Sequence, residues 1–287
     1  MPKTNYIPAL YSFLEELGRR QDRNWFKANK NRYDDLRAQW LADLDTLILL
    51  CSQWWPELKG QTGASSAFRI YRDTRFSQDK SPYKTYFSAS ISPRGRGSES
   101  VHLPGFYIQV GPGRIGGATD SYEAESSGLY GGMWCPEAPL LRKLRKAIVD
   151  NIEEFEEIIN EPALQANFPG WYGDRLKTIP KGYDRNHPQA ELLRLKEYGK
   201  YMPLGRSFFS DPRWPEAAAD KLQSLTISLR VRCVMLQNRN KMVVALSKAL
   251  IVFTIRATCE GSLANCEKRL AVSLKKGAPG GCPTSSL

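Results

Sequence analysis

Between Ala67 and Tyr86 the chain reads AFRIYRDTRFSQDKSPYKTY, its densest mixture of Arg, Lys, Asp and Tyr. Arg69, Arg72, Arg75, Lys80 and Lys84 supply positive charge there, and Tyr71 and Tyr83 supply hydroxyls and ring faces. A guanidinium is a planar, bidentate fork and an ammonium a compact point charge. A cluster of both suits a phosphate- or carboxylate-bearing ligand. Asp73 and Asp79 stand in the same stretch, where either is a weak candidate for general base or metal ligand. The same residue types have a second use. Arg, Asp and Tyr on neighbouring strands also build ion-pair networks that only hold a fold together. Composition leaves these two readings level.

A second stretch, Arg175 to Tyr198, brings Lys181, Tyr183 and His187. Lys181 and Tyr183 would extend an anion site, and His187 would serve an enzyme as general acid. A lone loop histidine is more often a hydrogen-bonding surface residue. With two histidines in the whole chain, a metal site built from several histidines is excluded. The six cysteines form no CxxC pair and show no zinc-like spacing, so no metal and no cofactor is expected. No G-x-S-x-G, H-E-x-x-H or P-loop sequence occurs either, and no GK[ST] follows Gly131-Gly132.

These side chains need elements to position them. Ile7, Leu10, Phe13, Leu14 and Leu17 recur at helical spacing, with Pro8 in a first turn and Gly18 as a stop. A longer helix follows, capped by Asn24 and closed by Pro56. Phe26, Tyr33, Leu36, Trp40, Leu44, Leu47 and Cys51 share its apolar stripe, and Lys27, Lys30, Arg32 and Arg37 its solvated face. In the basic stretch the period becomes two. Phe68, Ile70 and Arg72 alternate with Arg69, Tyr71, Asp73 and Arg75, and beyond the SQDKSP turn Thr85, Phe87, Ala89 and Ile91 alternate with Tyr86, Ser88 and Ser90. Two strands joined by that turn would bring Arg75, Lys80 and Lys84 together. Phe106 to Val110 reads as a third strand. Leu129 to Trp134 reads as a fourth, whose paired glycines mark a bulge or a close backbone approach. Arg94 to Ser100 and Ile115 to Ser127 read as loops. Helices follow from Leu141 to Ile159, near Leu192 to Leu195 and from Trp214 to Leu236, with Leu204 to Phe209 as an added edge strand. The expected fold class is α+β: N-terminal helices, a mainly antiparallel sheet of about four to five strands, then a helical half, in one domain over residues 1–236.

The formal net charge is +11, which points towards acidic partners. Residues 237–287 hold eight Lys+Arg against two Asp+Glu, so more than half of that excess lies in this last stretch. This basic tail reads as disordered or weakly helical. The body is only mildly basic, which argues against a large nucleic-acid footprint. The longest apolar run, Met242 to Ile255, is short and contains Lys248, so no membrane span is expected. The first residues lack the pattern of a signal peptide, and free thiols in a reducing cytoplasm are the simplest expectation.

Several of these segments resemble one known family, domain of unknown function 2461. The resemblance lies in Phe13-Leu14 with Leu17, Asn24-Trp25-Phe26 with Asn29-Lys30 and Tyr33, Arg69 to Phe76, and Asp79 to Lys84. Gly131-Gly132-Met133-Trp134 with Pro136, and Pro180 to Asp184 with His187-Pro188, complete it. It covers about residues 6–236 and leaves out the tail. The resemblance implies that both basic stretches belong to one compact domain, and it carries over no activity. The residues themselves therefore order the possibilities. First comes a module binding a small anionic ligand through Arg69, Tyr71, Arg72, Arg75, Lys80, Tyr83, Lys84, Lys181 and Tyr183. Second is a structural or interaction protein. Close behind stands a hydrolase-type enzyme acting on a phosphorylated substrate with Asp73, Asp79 or His187.

Overall fold

The computed structural model describes residues 5–75, 78–96, 103–112 and 127–236, with side chains described as far as residue 225. All of these belong to one compact unit, Met1–Arg239. The basic tail, the three cysteines within it and most of the expected 94–100 and 115–127 loops lie outside the described residues.

Helix α1 (Ile7–Arg20) buries Ile7, Leu10, Phe13, Leu14 and Leu17 along one stripe, with Pro8 in its first turn as expected. It runs through Gly18 and stops at Gln21. That residue takes the left-handed conformation (φ 44°), and its N–H donates to the Leu17 carbonyl at 2.8 Å. Helix α2 (Arg23–Ala28) is capped by Asp22, whose carboxylate accepts the Trp25 N–H at 2.7 Å, and the expected cap Asn24 lies inside the helix. Asp22 wins because Ncap accepts from N3, which places the cap three residues before Trp25. After a break at Asn29, α3 (Lys30–Trp54) carries the long apolar stripe, and α4 (Gly63–Ser66) follows under a Thr62 capping box.

Strands β1 (Phe87–Ile91), β2 (Gly105–Val110), β3 (Gly128–Met133) and β4 (Tyr198–Pro203) form one antiparallel sheet in the order β1-β2-β3-β4. The register aligns Ala89 with Ile108 and Ile108 with Leu129, and Ile91 with Phe106, so the apolar positions of each strand share one inner face. Helix α3 covers that face. Its Tyr33 and Trp40 rings meet Phe87, and Trp54 meets Phe106 edge-on at 5.8 Å.

Between β3 and β4 the chain leaves the sheet through α5 (Ala138–Asp150), α6 (Ile152–Ile159), α7 (Pro162–Asn167) and α8 (Ala190–Arg194). These elements build a smaller apolar cluster around Ile148, Phe155, Leu192 and Leu195. Beyond β4 come the short α9 (Arg206–Ser210) and the long α10 (Trp214–Leu236). The expected strand at Leu204 to Phe209 is therefore displaced. The edge strand lies earlier, and its successor is helical, since Pro203 cannot donate to a ladder and Phe209 turns inward to pack edge-on against Trp214 at 5.4 Å. The paired glycines of β3 mark a close approach. A Cβ at Gly131 would strike the Leu225 side chain of α10, and one at Gly132 (φ +150°) the Tyr198 backbone. Among the described residues no helix is long and apolar enough to cross a membrane.

One residue breaks the apolar inner face. Lys200 of β4 lies opposite Gly131 and is only 2% exposed. Its ammonium donates to the Phe168 carbonyl at 2.9 Å and sits 4.7 Å from the centre of the Trp171 ring. Burial lowers its pKa to about 8. The unfolded chain then holds more protons than the folded one between about pH 8 and about pH 10.5, and this group's contribution to stability rises with pH across that window. Comparing the native chain with Lys200→Met by urea unfolding at pH 7 and 10.5, the difference should shift by about 3 kcal/mol in favour of the native chain at the higher pH. A pH-independent difference would mean that Lys200 does not titrate anomalously.

Candidate functional site

The basic stretch forms an irregular hairpin along the free edge of β1. Phe68 N–H donates to the Ser88 carbonyl at 2.8 Å, Lys84 N–H to Ile70 at 2.8 Å, and Arg72 N–H to Pro82 at 2.9 Å. Isolated bridges pair Ala67 with Ala89 and Tyr71 with Tyr83, where two regular strands were expected. Pro82 has no N–H to give, so the ladder cannot be continuous there. The predicted alternation nevertheless holds at its centre. Ile70 faces the core, and Arg69, Tyr71, Asp73 and Arg75 are exposed.

Two devices hold this hairpin against the helices. The Gln21 side chain accepts the Tyr83 N–H at 3.1 Å and donates to the Tyr83 carbonyl at 3.2 Å, completing the backbone bonds that another strand would make. Beneath it runs an aromatic seam. Tyr83 stacks on Phe26 with ring centres 4.5 Å apart, Phe26 meets Tyr33 at 5.3 Å, and Tyr71 meets Phe26 at 5.9 Å and Tyr83 at 5.5 Å. Tyr71 is the outer member and stays 45% exposed. Burial raises the Tyr33 and Tyr83 phenols, and Arg37 and Arg23 respectively pull them back down. The helices thus add two guanidiniums to the hairpin's own. No local spacing signals this, because Arg23 and Arg37 approach the site only through the fold. Gln21 is equally silent in the sequence.

Within the loop the two aspartates are already engaged. Asp79 accepts from the Ser81 hydroxyl at 2.6 Å and the Ser81 N–H at 2.9 Å on one oxygen, and from Arg72 at 2.6 Å on the other. The Ser81 donors first, and Arg72 with them, hold this carboxyl well below the usual range. The Arg72 side chain is only 12% exposed. Asp73 accepts from the Arg75 Nη2 at 2.7 Å and Nε at 3.0 Å in an exposed fork, which lowers its pKa to about 2. Carboxylates held this low are poor proton acceptors at neutral pH. Lys80 donates to the Thr74 carbonyl at 2.9 Å, and the Lys84 ammonium lies 5.1 Å from the Phe68 ring centre and 5.7 Å from that of Tyr86.

Lys181, Tyr183 and His187 stand elsewhere. Their stretch bridges beyond β4, through Arg175 with Leu195 and Tyr172 with Gly199, at the opposite edge of the sheet. At about 4.8 Å per strand the two edges are on the order of 20 Å apart, so the basic stretches do not share one site. His187 accepts the Gln189 N–H on Nδ1 at 3.0 Å and meets the Tyr183 ring edge-on at 6.2 Å. That is a local turn contact.

An antiparallel sheet with one covered face and a charged, aromatic-backed edge defines an α+β domain. The chain belongs to the family described as conserved hypothetical protein (DUF2461), whose model matches residues 9–227. No curated protein and no solved structure matches it significantly.

The geometry separates the two Arg–Asp pairs energetically. Arg72→Ala should cost about 2 kcal/mol at pH 7, because Asp79 keeps its charge and loses its cation in a half-buried setting. Arg75→Ala should leave the urea midpoint almost unmoved, as expected of an exposed pair. The depressed Asp79 stabilises the fold above its unfolded-chain value near pH 4, and that contribution fades as the pH falls towards the folded value. The Arg72→Ala penalty, read from urea midpoints, should therefore persist at pH 3, where the folded carboxylate is still ionised, and shrink only at lower pH. Equal penalties for the two variants would contradict this assignment.

Proposed function

We propose that the hairpin edge binds a small phosphate- or carboxylate-bearing ligand whose flat part lies against Tyr71. The observation that carries this reading is the exposed Tyr71 ring, held in place from behind by Phe26 and Tyr83. Arg69 and Arg75 lie on the same side at strand spacings of two and four residues, with Lys80 exposed nearby. A rigid aromatic face costs little entropy on binding, and guanidiniums beside it add charge and bidentate geometry. In this reading Arg72, Asp79, Tyr83 and Lys84 shape the edge, and Arg69, Tyr71, Arg75 and Lys80 touch the ligand. Nucleotides and sugar phosphates fit this description better than long nucleic acids, which need a wider basic track.

A second reading has its own support. Arg72 pairs with Asp79 and Arg75 with Asp73, as in a network that serves the fold alone. The hydrolase alternative is weaker, since it asks a base of carboxylates that hold protons poorly.

The test is a thermal-shift and calorimetric titration with adenosine monophosphate, glucose 6-phosphate, inorganic phosphate and a short single-stranded oligonucleotide, at low and high salt. A ligand at about a hundred times its Kd adds about 2.7 kcal/mol. Binding should fall about tenfold or more in Arg69→Ala, with the unfolding midpoint of the free protein almost unmoved, and in Tyr71→Ala, which also lowers that midpoint modestly because its ring belongs to the aromatic seam. No response to any probe would favour the structural reading. A response to the oligonucleotide alone that vanishes in salt would indicate a polyanion surface.

A further inference from the structure

Where α5 meets the smaller apolar cluster, an arginine takes a core position. Arg145 shares the buried side of the helix with Leu144, Ala147 and Ile148 and is only 5% exposed. Its Nη2 donates to the Leu195 carbonyl at 2.8 Å, at the end of α8. It also bonds to Tyr198, whose own hydroxyl donates to the Leu192 carbonyl at 2.9 Å. Its Nε is buried without a hydrogen-bond partner. The hydrogen-bond partners of this guanidinium are thus neutral, and it forms no ion pair among the described residues.

A buried arginine ordinarily brings a carboxylate with it, because neutral dipoles offset the loss of hydration only in part. Capping the end of α8 accounts for Nη2 but not for Nε, and a five-residue helix offers little dipole. Glu197, beside Tyr198 in the chain, does not fill the gap. It is turned towards Gly173 and accepts the Cys135 N–H on Oε2 at 3.3 Å. The next buried side chain is a further cation. The Lys200 ammonium lies 4.7 Å from the centre of the Trp171 ring, which meets Tyr198 edge-on at 6.0 Å. Two buried cations therefore adjoin the Trp171–Tyr198 pair, and neither forms an ion pair among the described residues.

The turn from Pro180 to Tyr183 approaches the same place. Burial raises the Tyr198 phenol, Arg145 pulls it back, and Tyr183 raises it again. Asp150 raises the exposed Lys146 ammonium, and Tyr183 adds to that. Tyr183 therefore lies near both the buried Tyr198 and the surface cation that follows Arg145 in the helix. Gly182 turns the chain at φ +96°, and a Cβ there would meet nothing within 4 Å, so the turn is open on that side. Lys181 and Arg185 flank Tyr183, are exposed, and form no ion pair among the described residues.

We infer that Arg145 anchors an anion site beneath this turn. A compact carboxylate or phosphate group accepts from Nε and a neighbouring Nη of the guanidinium, with the Tyr183 hydroxyl and the Lys146 ammonium at the rim. An oxyanion docked side-on supplies both of the things that Arg145 lacks, an acceptor for Nε and a negative charge. This site is independent of the hairpin edge, because its stretch bridges beyond β4 at the opposite edge of the sheet. Polymeric anions do not suit it, since the anchor is a single buried fork and not a basic track.

The experiment titrates the full chain with inorganic phosphate, acetate and methylammonium at constant ionic strength, by calorimetry and by the Arg145 Nε–H signal in NMR spectra. At least one of the two oxyanions should saturate and move that signal, and methylammonium should do neither. Arg145→Lys keeps the charge and loses the fork, and it should weaken the oxyanion about tenfold or more. Lys146→Ala, at the exposed rim, should weaken it about threefold. Should Arg145→Lys not fold, Lys146→Ala and Tyr183→Phe carry the test, each read from the Arg145 signal and each expected to weaken the oxyanion. Absence of saturable oxyanion binding would overturn the proposal. So would binding that leaves the Arg145 signal unmoved, which would locate the anion elsewhere, or unaltered affinity in every folded variant.

Discussion

A carboxylate in the middle of an apolar helix stripe costs several kcal/mol unless a donor is brought to it. Asp43 is such a group. It falls three residues after Trp40 and four before Leu47, on the face of α3 that meets the core. The donor comes from the other end of the domain, where Trp214 opens α10 and gives its indole N–H to Asp43 while stacking on Trp40 with ring centres 5.8 Å apart. That contact fixes where α10 begins. The direction of α10 then sets Leu225 directly over β3, which is why Gly131 can carry no side chain. A single buried acid thus links the first helices, the last helix and the composition of a central strand.

The other edge of the sheet is governed by a different constraint. A strand edge with open N–H and C=O groups invites pairing with another chain, and charged side chains along it discourage this. The hairpin beyond β1 meets that requirement twice. Gln21 closes the Tyr83 backbone groups from the helix side, and Arg69, Arg75 and Lys80 keep the outer face charged. Such protection accounts for charge on this edge but does not require an exposed aromatic ring among the charges. Tyr71 is what protection leaves unexplained, and it is the reason for favouring a ligand there.

Much of this was legible in the residues. The stripe of α1 and the inner positions of β2 and β3 follow from period alone, since burial of one face dictates them. The close approach at Gly131-Gly132 was likewise readable from two adjacent glycines in a strand. Errors arose where several local signals competed or where the deciding contact was distant. Asp22 and Asn24 are both good caps, and Gly18 resembles a stop until Gln21 is seen to take the left-handed turn. The edge strand was missed because Lys200 sits on its inner face, and a lysine at that position conceals the apolar alternation. Asp43 gave the same kind of signal in reverse. An acid at a stripe position is readable as unusual, but its partner lies 171 residues away.

Lys200 and Asp43 also show why net charge says little about sites. The chain carries +11 overall, yet the charged residue buried on the core face of α3 is an acid, Asp43. At physiological salt the field of an exposed charge is screened over about 8 Å, so distant exposed basic residues contribute little to such a group. What a buried group experiences is its immediate contacts. Lys200 faces a carbonyl and an indole ring, and the Trp214 indole N–H is among the groups that meet Asp43. Neutral partners offset desolvation only in part. For Lys200, sealed within the sheet face, the cell is closed and the remaining cost appears as a lowered pKa.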